Sequence, residues 1–291
     1  METLRRLSKS EALRKVAKLR WLPIRHWFDL RQGMRLKVRV KDPEDGYRYR
    51  FVADSLHSYQ RARSHLSKEP LTIAWLRENL RPTDVFLDIG ANIGTFSIFA
   101  ARHLADEGHV YACEPHLPTA VQLLQNVVAN RLEDRISVIS IAASGADGFF
   151  PFHYKRWREG SSGSQLAVDG GLAMEKRVAT EFKFALRVDS MIAQGLRPPN
   201  LVKIDTDGLE PQILSGMATL LRGANRPRSI LVEVQPGELQ EHVDFMASCG
   251  YGLLDHHLLG KGKRAIERGE KRELSDIAFN AVFQPEEGRR G

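Results

Sequence analysis

The stretch Val85-Phe-Leu-Asp-Ile-Gly-Ala-Asn-Ile-Gly94 leaves this chain few folds to choose from. Val85 to Ile89 has the composition of a strand buried on both faces, and the apolar-rich run Thr95 to Leu104 after it reads as a helix. Gly90 and Gly94 bracket the turn between them, and glycine there permits a backbone conformation or a close approach that a Cβ would obstruct. Strand, glycine turn and helix start in that order make an anion-binding corner, because the helix start supplies unpaired N–H donors and a favourable dipole. His109 to Cys113 reads as a second strand, and Glu114 closes it twenty residues after Gly94. That is the spacing of an acidic residue that accepts hydrogen bonds from ribose hydroxyls.

The interior of the turn narrows the choice of cofactor. A dinucleotide loop places glycines at three positions so that a pyrophosphate can lie on the backbone, whereas here the loop reads Gly90-Ala-Asn-Ile-Gly94 with Asn92 inserted. A pyrophosphate is disfavoured. The Asp88-x-Gly90-x-Asn92-x-Gly94 pattern resembles motif I of class I S-adenosylmethionine-dependent methyltransferases. Adding Glu114-Pro115, Asn126 and Asn130 in the next helix, and Lys203-Ile-Asp-Thr-Asp-Gly-Leu-Glu210, the chain resembles the FkbM family of methyltransferases over roughly residues 69 to 285. The resemblance implies S-adenosylmethionine as cofactor, held by Asp88, Gly90, Ala91, Asn92, Gly94, Glu114, Pro115, Ala142 and Asp205.

From Val85 onward, strand and helix patterns alternate as a parallel α/β sheet requires. Strands are expected at 85–89, 109–113, 136–141, 201–204, 229–234, 251–254 and 277–283, with helices at 95–104, 118–130, 211–221 and 237–248. Between the last two strands lies only polar sequence, so the final strand is expected to pair antiparallel. The expectation is a Rossmann-like class I methyltransferase fold, a seven-stranded, mostly parallel sheet with an antiparallel last strand. Ahead of it, residues 35–40 and 47–52 alternate with period two around a turn-forming segment and predict a hairpin, followed by a helix over about 70–80 that Pro82 stops. Residues 1–68 are thus expected to form a basic extension of helix and hairpin, and residues 69–291 the methyltransferase domain. The domain carries an insertion at about 149–182, where extended arms flank glycine- and serine-rich stretches. Such an insertion beside a cofactor pocket is a candidate lid or a plain surface excursion.

Charge is uneven. Residues 1–41 hold thirteen Lys or Arg against three acids, a local net of +10 in a chain of +7. Leu4, Leu7, Leu13 and Val16 interleave with Arg5, Lys9, Arg14 and Lys15, which predicts a basic helix with an apolar side. An anionic membrane surface or anionic polymer is the partner such a segment would attract, nucleic acid less so, and the alternative is a solvated face folded on the domain. Cys113 and Cys249 have no disulfide or zinc spacing. With no long apolar span and no secretory signal, a cytoplasmic protein is expected, with peripheral membrane attachment through the basic segment as the variant.

Chemistry is expected at the carboxyl ends of the strands. Asp205 ends one, and with Asp207 and Glu210 it places three carboxylates within six residues. Asp205 is assigned to cofactor and substrate positioning, Asp207 to the general base and Glu210 to a supporting carboxylate, with helix capping as the alternative for Glu210. The FkbM family usually carries Glu where Asp207 stands. Lys203 is expected to pair with one of these acids, and Glu233 is a further strand-end acid. A divalent ion among Asp205, Asp207 and Glu233 is chemically conceivable, but no spacing calls for one. His256 and His257 are read as part of a late loop. The resemblance implies O-methylation of a hydroxyl on a sugar, glycan or other natural product. The rivals are a nucleic-acid methyltransferase, which would explain the basic segment but lacks an Asn/Asp-Pro-Pro-aromatic motif, and a non-catalytic binding module of the same fold.

Overall fold

The structure, a computed structural model, describes residues 36–168, 177–259, 268 and 276–286. The expected basic helix of the first 35 residues and the glycine stretch 169–171 lie outside these. Strands β3 (Val85–Ile89), β4 (His109–Cys113), β5 (Ile136–Ile139), β10 (Leu201–Ile204), β11 (Ser229–Val234), β12 (Tyr251–Leu258) and β13 (Phe279–Pro285) form one sheet in the order β12-β13-β11-β10-β3-β4-β5. β3 pairs parallel with both β4 and β10, while β13 runs antiparallel between β11 and β12. This is the expected class I methyltransferase sheet. The chain leaves β3 toward β4 on one side and reaches β10 on the other, so the ligand crevice falls beyond the carboxyl ends of β3 and β10.

Both faces of the sheet are buried, as its unbroken apolar strands require. One face sets Phe86, Leu201, Leu231 and Val282 against Trp75, Phe99 and Leu123; the other sets Leu87, Val202, Ile204 and Val232 against Met191, Leu214 and Met246. Helix α2 (Pro70–Asn79) covers the first face and is fixed by a 2.9 Å hydrogen bond from Trp75 Nε1 to Ser229 Oγ. Helices α3 (Thr95–His103) and α4 (Leu117–Asn130) follow β3 and β4 as expected.

The hairpin forms from β1 (Leu36–Lys41) and β2 (Arg48–Ala53). β2 is zipped to α4 by side-chain amides. Asn130 Oδ1 and Asn126 Oδ1 accept the backbone N–H groups of Arg50 (2.9 Å) and Val52 (2.7 Å), while Asn130 Nδ2 and Gln122 Nε2 each donate to the carbonyls of the same residues at 2.6 Å. Buried Asp42 in the hairpin turn pairs with Arg77 of α2 at 2.7 Å.

Other segments differ from the expected boundaries. Helix α1 (Leu56–Arg63) was not foreseen; it starts on a Ser55/Ser58 capping box. The segment 136–141 stops at Ile139 and resumes as β6 (Ala142–Ala143) in a second sheet with β7 (Gly148–Tyr154), β8 (Gln165–Leu166) and β9 (Ala179–Leu186), ordered β6-β9-β7-β8. The arms of the insertion are therefore a paired antiparallel ribbon. After it come α5 (Val188–Ala193), then α6 (Glu210–Ser215) and α7 (Ala218–Arg222), the last two split at Gly216 where one helix was expected. A Cβ there would lie 2.3 Å from the Ser144 carbonyl oxygen, so close packing sets this residue. Helix α8 (Leu239–Ser248) leads to β12, which continues through His256 and His257; these lie in an edge strand, not a loop. Cys113 and Cys249 are buried and free, and burial pushes the Cys113 thiol up to about 12.

Candidate active site

The glycine turn closes on itself. Gly90 has φ +80° and Asn92 φ +52°, so both residues use the left-handed region, and Gly94 at φ +87° caps the start of α3. The N–H groups of Gly90 and Ala91 both donate to the Cys113 carbonyl at 3.0 Å. The Asn92 N–H donates to Glu114 Oε2 at 2.8 Å, and the His116 N–H donates to Glu114 Oε1 at the same distance. The anion held by the turn is thus the carboxylate of Glu114 itself. A Cβ on Gly90 would lie 1.8 Å from the Asp205 carbonyl oxygen, which presses the turn against the end of β10. Pro115 is half-buried behind Glu114, and Ala91 and Ala142 are buried.

Below the turn lies an ionisable group without solvent access. Asp88 is fully buried and accepts from Ser97 Oγ at 2.6 Å, leaving Oδ1 without a partner. Burial raises its carboxyl pKa, against the pull of Lys203. Lys203 is buried too, and its Nζ lies 2.9 Å from Asp205 Oδ2. Burial favours the neutral amine, but Asp205 and Asp88 outweigh it and hold the ammonium above its ordinary pKa. The expected pairing of Lys203 with a neighbouring acid is present. Its ammonium also sits 4.9 Å from the Phe96 ring centroid.

The three carboxylates that follow β10 part company. Asp205 is half-exposed, and Lys203 keeps it ionised, below the ordinary carboxyl pKa, despite burial. Glu210 turns inward: its Oε1 accepts from Thr206 N (2.7 Å) and Thr206 Oγ1 (3.0 Å), its Oε2 from Gly208 N (2.9 Å), and the residue is fully buried. Glu210, expected as a supporting carboxylate or a helix cap, therefore braces the 206–208 loop from the start of α6. Asp207, with φ +61°, is exposed and accepts the Gly163 N–H through Oδ2 at 2.6 Å, while its carbonyl accepts from Gln165 Nε2 at 2.7 Å. It reaches toward the insertion. Glu233, one strand further along the sheet, shares a hydrogen bond with Asp205. Burial first, and then Asp205 and Glu210, raise its carboxyl well above the ordinary range.

The residues between β7 and β8 cross this cluster as a strap. Its carbonyls accept from His116 Nε2 at Arg156 (2.9 Å), Ser55 Oγ at Glu159 (3.2 Å), Arg61 Nε at Gly160 (2.7 Å) and Asn92 Nδ2 at Ser161 (3.1 Å). His116 and Arg61 have no sequence signal for this role beyond the position of His116 next to Glu114-Pro115. Tyr154 is buried and its hydroxyl donates to Glu181, whereas Trp157 is exposed against the Tyr154 ring at 4.9 Å. Among the described residues, no group of three His, Cys, Asp or Glu is placed to hold a metal ion, and no helix is long and apolar enough to cross a membrane.

Comparison with known proteins adds four findings. A family model described as the methyltransferase FkbM domain matches residues 88–253. The hexuronic acid methyltransferase AglP of Haloferax volcanii is 28% identical over 229 residues, 77% of this chain and 84% of that protein. The 31-O-demethyl-FK506 methyltransferase FkbM of Streptomyces tacrolimicus is 30% identical over 201 residues, 60% of this chain and 75% of that one. Among solved structures, an FkbM methyltransferase from Methylobacillus flagellatus matches with 17% identity and a TM-score of 0.44, over 78% of this chain and 55% of its own.

Proposed function

Because the chain belongs to the FkbM family of S-adenosylmethionine-dependent methyltransferases, we propose that it methylates a hydroxyl oxygen of a sugar, a glycan or another hydroxylated natural product. The observation that carries this reading is the meeting, at the carboxyl ends of β3, β4 and β10, of a buried carboxylate on the glycine turn with an ionised Asp205. The acceptor class is supported by the two relatives, whose names specify a hexuronic acid and 31-O-demethyl-FK506. The residues present suit the cofactor. Glu114 is bound in the structure by two backbone N–H groups, which leaves carboxylate lone pairs for ribose hydroxyls. Asp205, kept ionised by Lys203, puts negative charge beside the glycine turn, where it would favour a sulfonium. When bound, the cofactor supplies an activated methyl group. Asp205 positions the acceptor, and the alignment of acceptor oxygen with that methyl is worth up to roughly 7–11 kcal/mol in favourable model reactions.

Glu114 makes the cofactor assignment testable without an acceptor. Burial pushes its carboxyl up to about 7 against the opposing His116 and Asn92 N–H groups. With the folded pKa raised, its contribution to stability is present below the ordinary carboxyl range and is lost as pH rises to about 7. Hydroxyl donors favour the ionised form, so S-adenosylhomocysteine should bind more tightly as pH rises from 5 to about 7 and then level off. Calorimetry on Glu114→Gln should show weaker binding with a flat pH profile; unchanged affinity would remove Glu114 from the site. Transfer of labelled methyl to hexuronic acid glycans and polyketide alcohols, with RNA as a parallel acceptor, tests the rest.

The strap is the part of the insertion that suits a lid. Asp207 latches it through Gly163, so Asp207→Ala should increase protease cleavage within residues 155–163 several-fold and accelerate S-adenosylhomocysteine release in stopped flow. Identical cleavage and release rates would leave the latch without function.

A further inference from the structure

Among the carboxyl groups at the carboxyl edge of the sheet, Glu210 has both oxygens engaged by backbone N–H groups, Asp207 is exposed and turned toward the insertion through the Gly163 N–H on its Oδ2, and Asp205 is tied to Lys203. Glu233 is different. Register places it beside Asp205, because Ile204 pairs with Val232 in the parallel β10–β11 ladder and the next residues of each strand are Asp205 and Glu233. Across the antiparallel ladder it faces Asn280. Its Oε2 accepts from Gln235 Nε2 at 3.2 Å, and the side chain is half-exposed.

We propose that Glu233 is the group that takes the proton of the acceptor hydroxyl during methyl transfer; this rests on the methyltransferase reading above. Asp205 and Glu233 share a hydrogen bond, and such a bond between two carboxyl groups needs one proton. Lys203 fixes the charge on Asp205, so the proton resides on Glu233 until a substrate or pH displaces it. The groups facing the pair all favour this division. Asp205, Glu210 and Asp207 face Glu233 from the end of β10 and the loop into α6, and each disfavours its ionisation. Before α2, Lys68 faces Asp205, and Glu69 at the helix start faces Lys203 and accepts from Asn280 Nδ2 at 3.5 Å. From β13 comes only the neutral Asn280, and His257 of β12, one register further, contacts Asp255 at 3.3 Å.

Once ionised, Glu233 is a stronger base than Asp205, since basicity follows the raised pKa. The balance of the step is simple. The acceptor oxygen forms a new bond to the methyl carbon, the bond from that carbon to sulfur breaks with its electron pair left on sulfur, and the hydroxyl proton passes to Glu233 and then to solvent. Glu210 and Asp207 then act on Glu233 by setting its affinity for the proton, not by touching the acceptor.

Glu233→Gln imitates the protonated form and should fold normally. Calorimetry of S-adenosylmethionine and S-adenosylhomocysteine binding to the whole chain, in two buffers of different ionisation enthalpy near pH 8, counts protons without any acceptor. The wild type should release more proton with the cationic cofactor than with its neutral product, since ionisation of Glu114 is common to both ligands, and Glu233→Gln should lose that excess; an equal excess in both proteins overturns the proposal. In labelled-methyl transfer to a hexuronic acid glycan or a polyketide alcohol, Glu233→Gln should lower kcat by about 10²- to 10⁴-fold and lose the rise of kcat/KM above neutral pH, with Glu233→Asp partly restoring both. Full turnover with an unchanged pH profile overturns the assignment while leaving the methyltransferase reading intact. Failure of the wild type to transfer methyl to any acceptor overturns that reading instead, and the proton count still decides the role of Glu233.

Discussion

Lys203→Met should lower the unfolding free energy by about 3–5 kcal/mol, the cost of stranding buried charge when one partner of an ion pair is removed. Lys203 is fully buried and lies between two carboxylates, Asp88 beneath the glycine turn and Asp205 at 2.9 Å. Methionine fills similar volume but leaves those two acids facing each other without a cation. In a domain of this size the loss corresponds to a fall in melting temperature of roughly 10 °C. The pH dependence gives the effect a signature. In the wild type Lys203 holds Asp205 below its ordinary pKa, so that pairing stabilises above the carboxylate range and is lost as pH falls through it. In the variant both acids should have raised pKa values, so stability should increase as pH falls from 8 to 5. Asp205→Asn added to Lys203→Met should recover part of the loss by removing one stranded charge. A melting temperature within 2 °C of wild type, read by calorimetry at pH 8, would contradict the buried triad.

Gly90→Ala should be comparably severe by a different route. The added Cβ would sit 1.8 Å from the Asp205 carbonyl oxygen and 2.8 Å from its carbon, and these are backbone atoms that no rotamer change can move. The residue also has φ +80°, where an alanine costs about 1–2 kcal/mol before any clash. Together these predict a loss of about 3 kcal/mol or more, and the relief available is to push the turn away from β10. That displacement would separate Glu114, bound to the Asn92 N–H, from Asp205. S-adenosylhomocysteine affinity should therefore fall at least 100-fold even in protein that remains folded. Folded Gly90→Ala with wild-type affinity would show that this close approach does not set the site.

What could be read from the sequence was what local chemistry dictates. Val85 to Gly94 and Glu114 were legible because a two-sided buried strand, a glycine turn and a strand-end acid each leave a pattern within a few residues. The antiparallel end of the sheet was legible from missing helical periodicity before the last strand. Helix α1 was not, since His57-Ser-Tyr-Gln-Arg-Ala-Arg63 has a single fully buried apolar residue, Ala62, and is held instead by its capping box and by Arg61 on the strap. His256 and His257 looked like loop because β12 is an edge strand whose register slips between Leu253 and Asp255, which weakens the alternation. The carboxylate cluster was visible, but its division of labour was not. Glu210 faces inward because the 206–208 backbone needs its oxygens, and Asp207 faces outward because Gly163, 44 residues away, supplies an N–H. Glu233 acquires its role from a neighbouring strand, through register that sequence alone does not reveal.

The amide ladder that fastens β2 to α4 has a colloidal consequence. A two-stranded hairpin ordinarily leaves rows of backbone donors and acceptors that another chain can extend, which is how soluble proteins come to stack edge to edge. Here Gln122, Asn126 and Asn130 occupy the groups of Arg50 and Val52 that a third strand would seek. One turn of helix after another, these amides stand in for that strand without offering an edge of their own. The hairpin is thereby closed to recruitment on this side, and its exposed basic side chains can meet a partner without the strand beneath becoming a template for self-assembly.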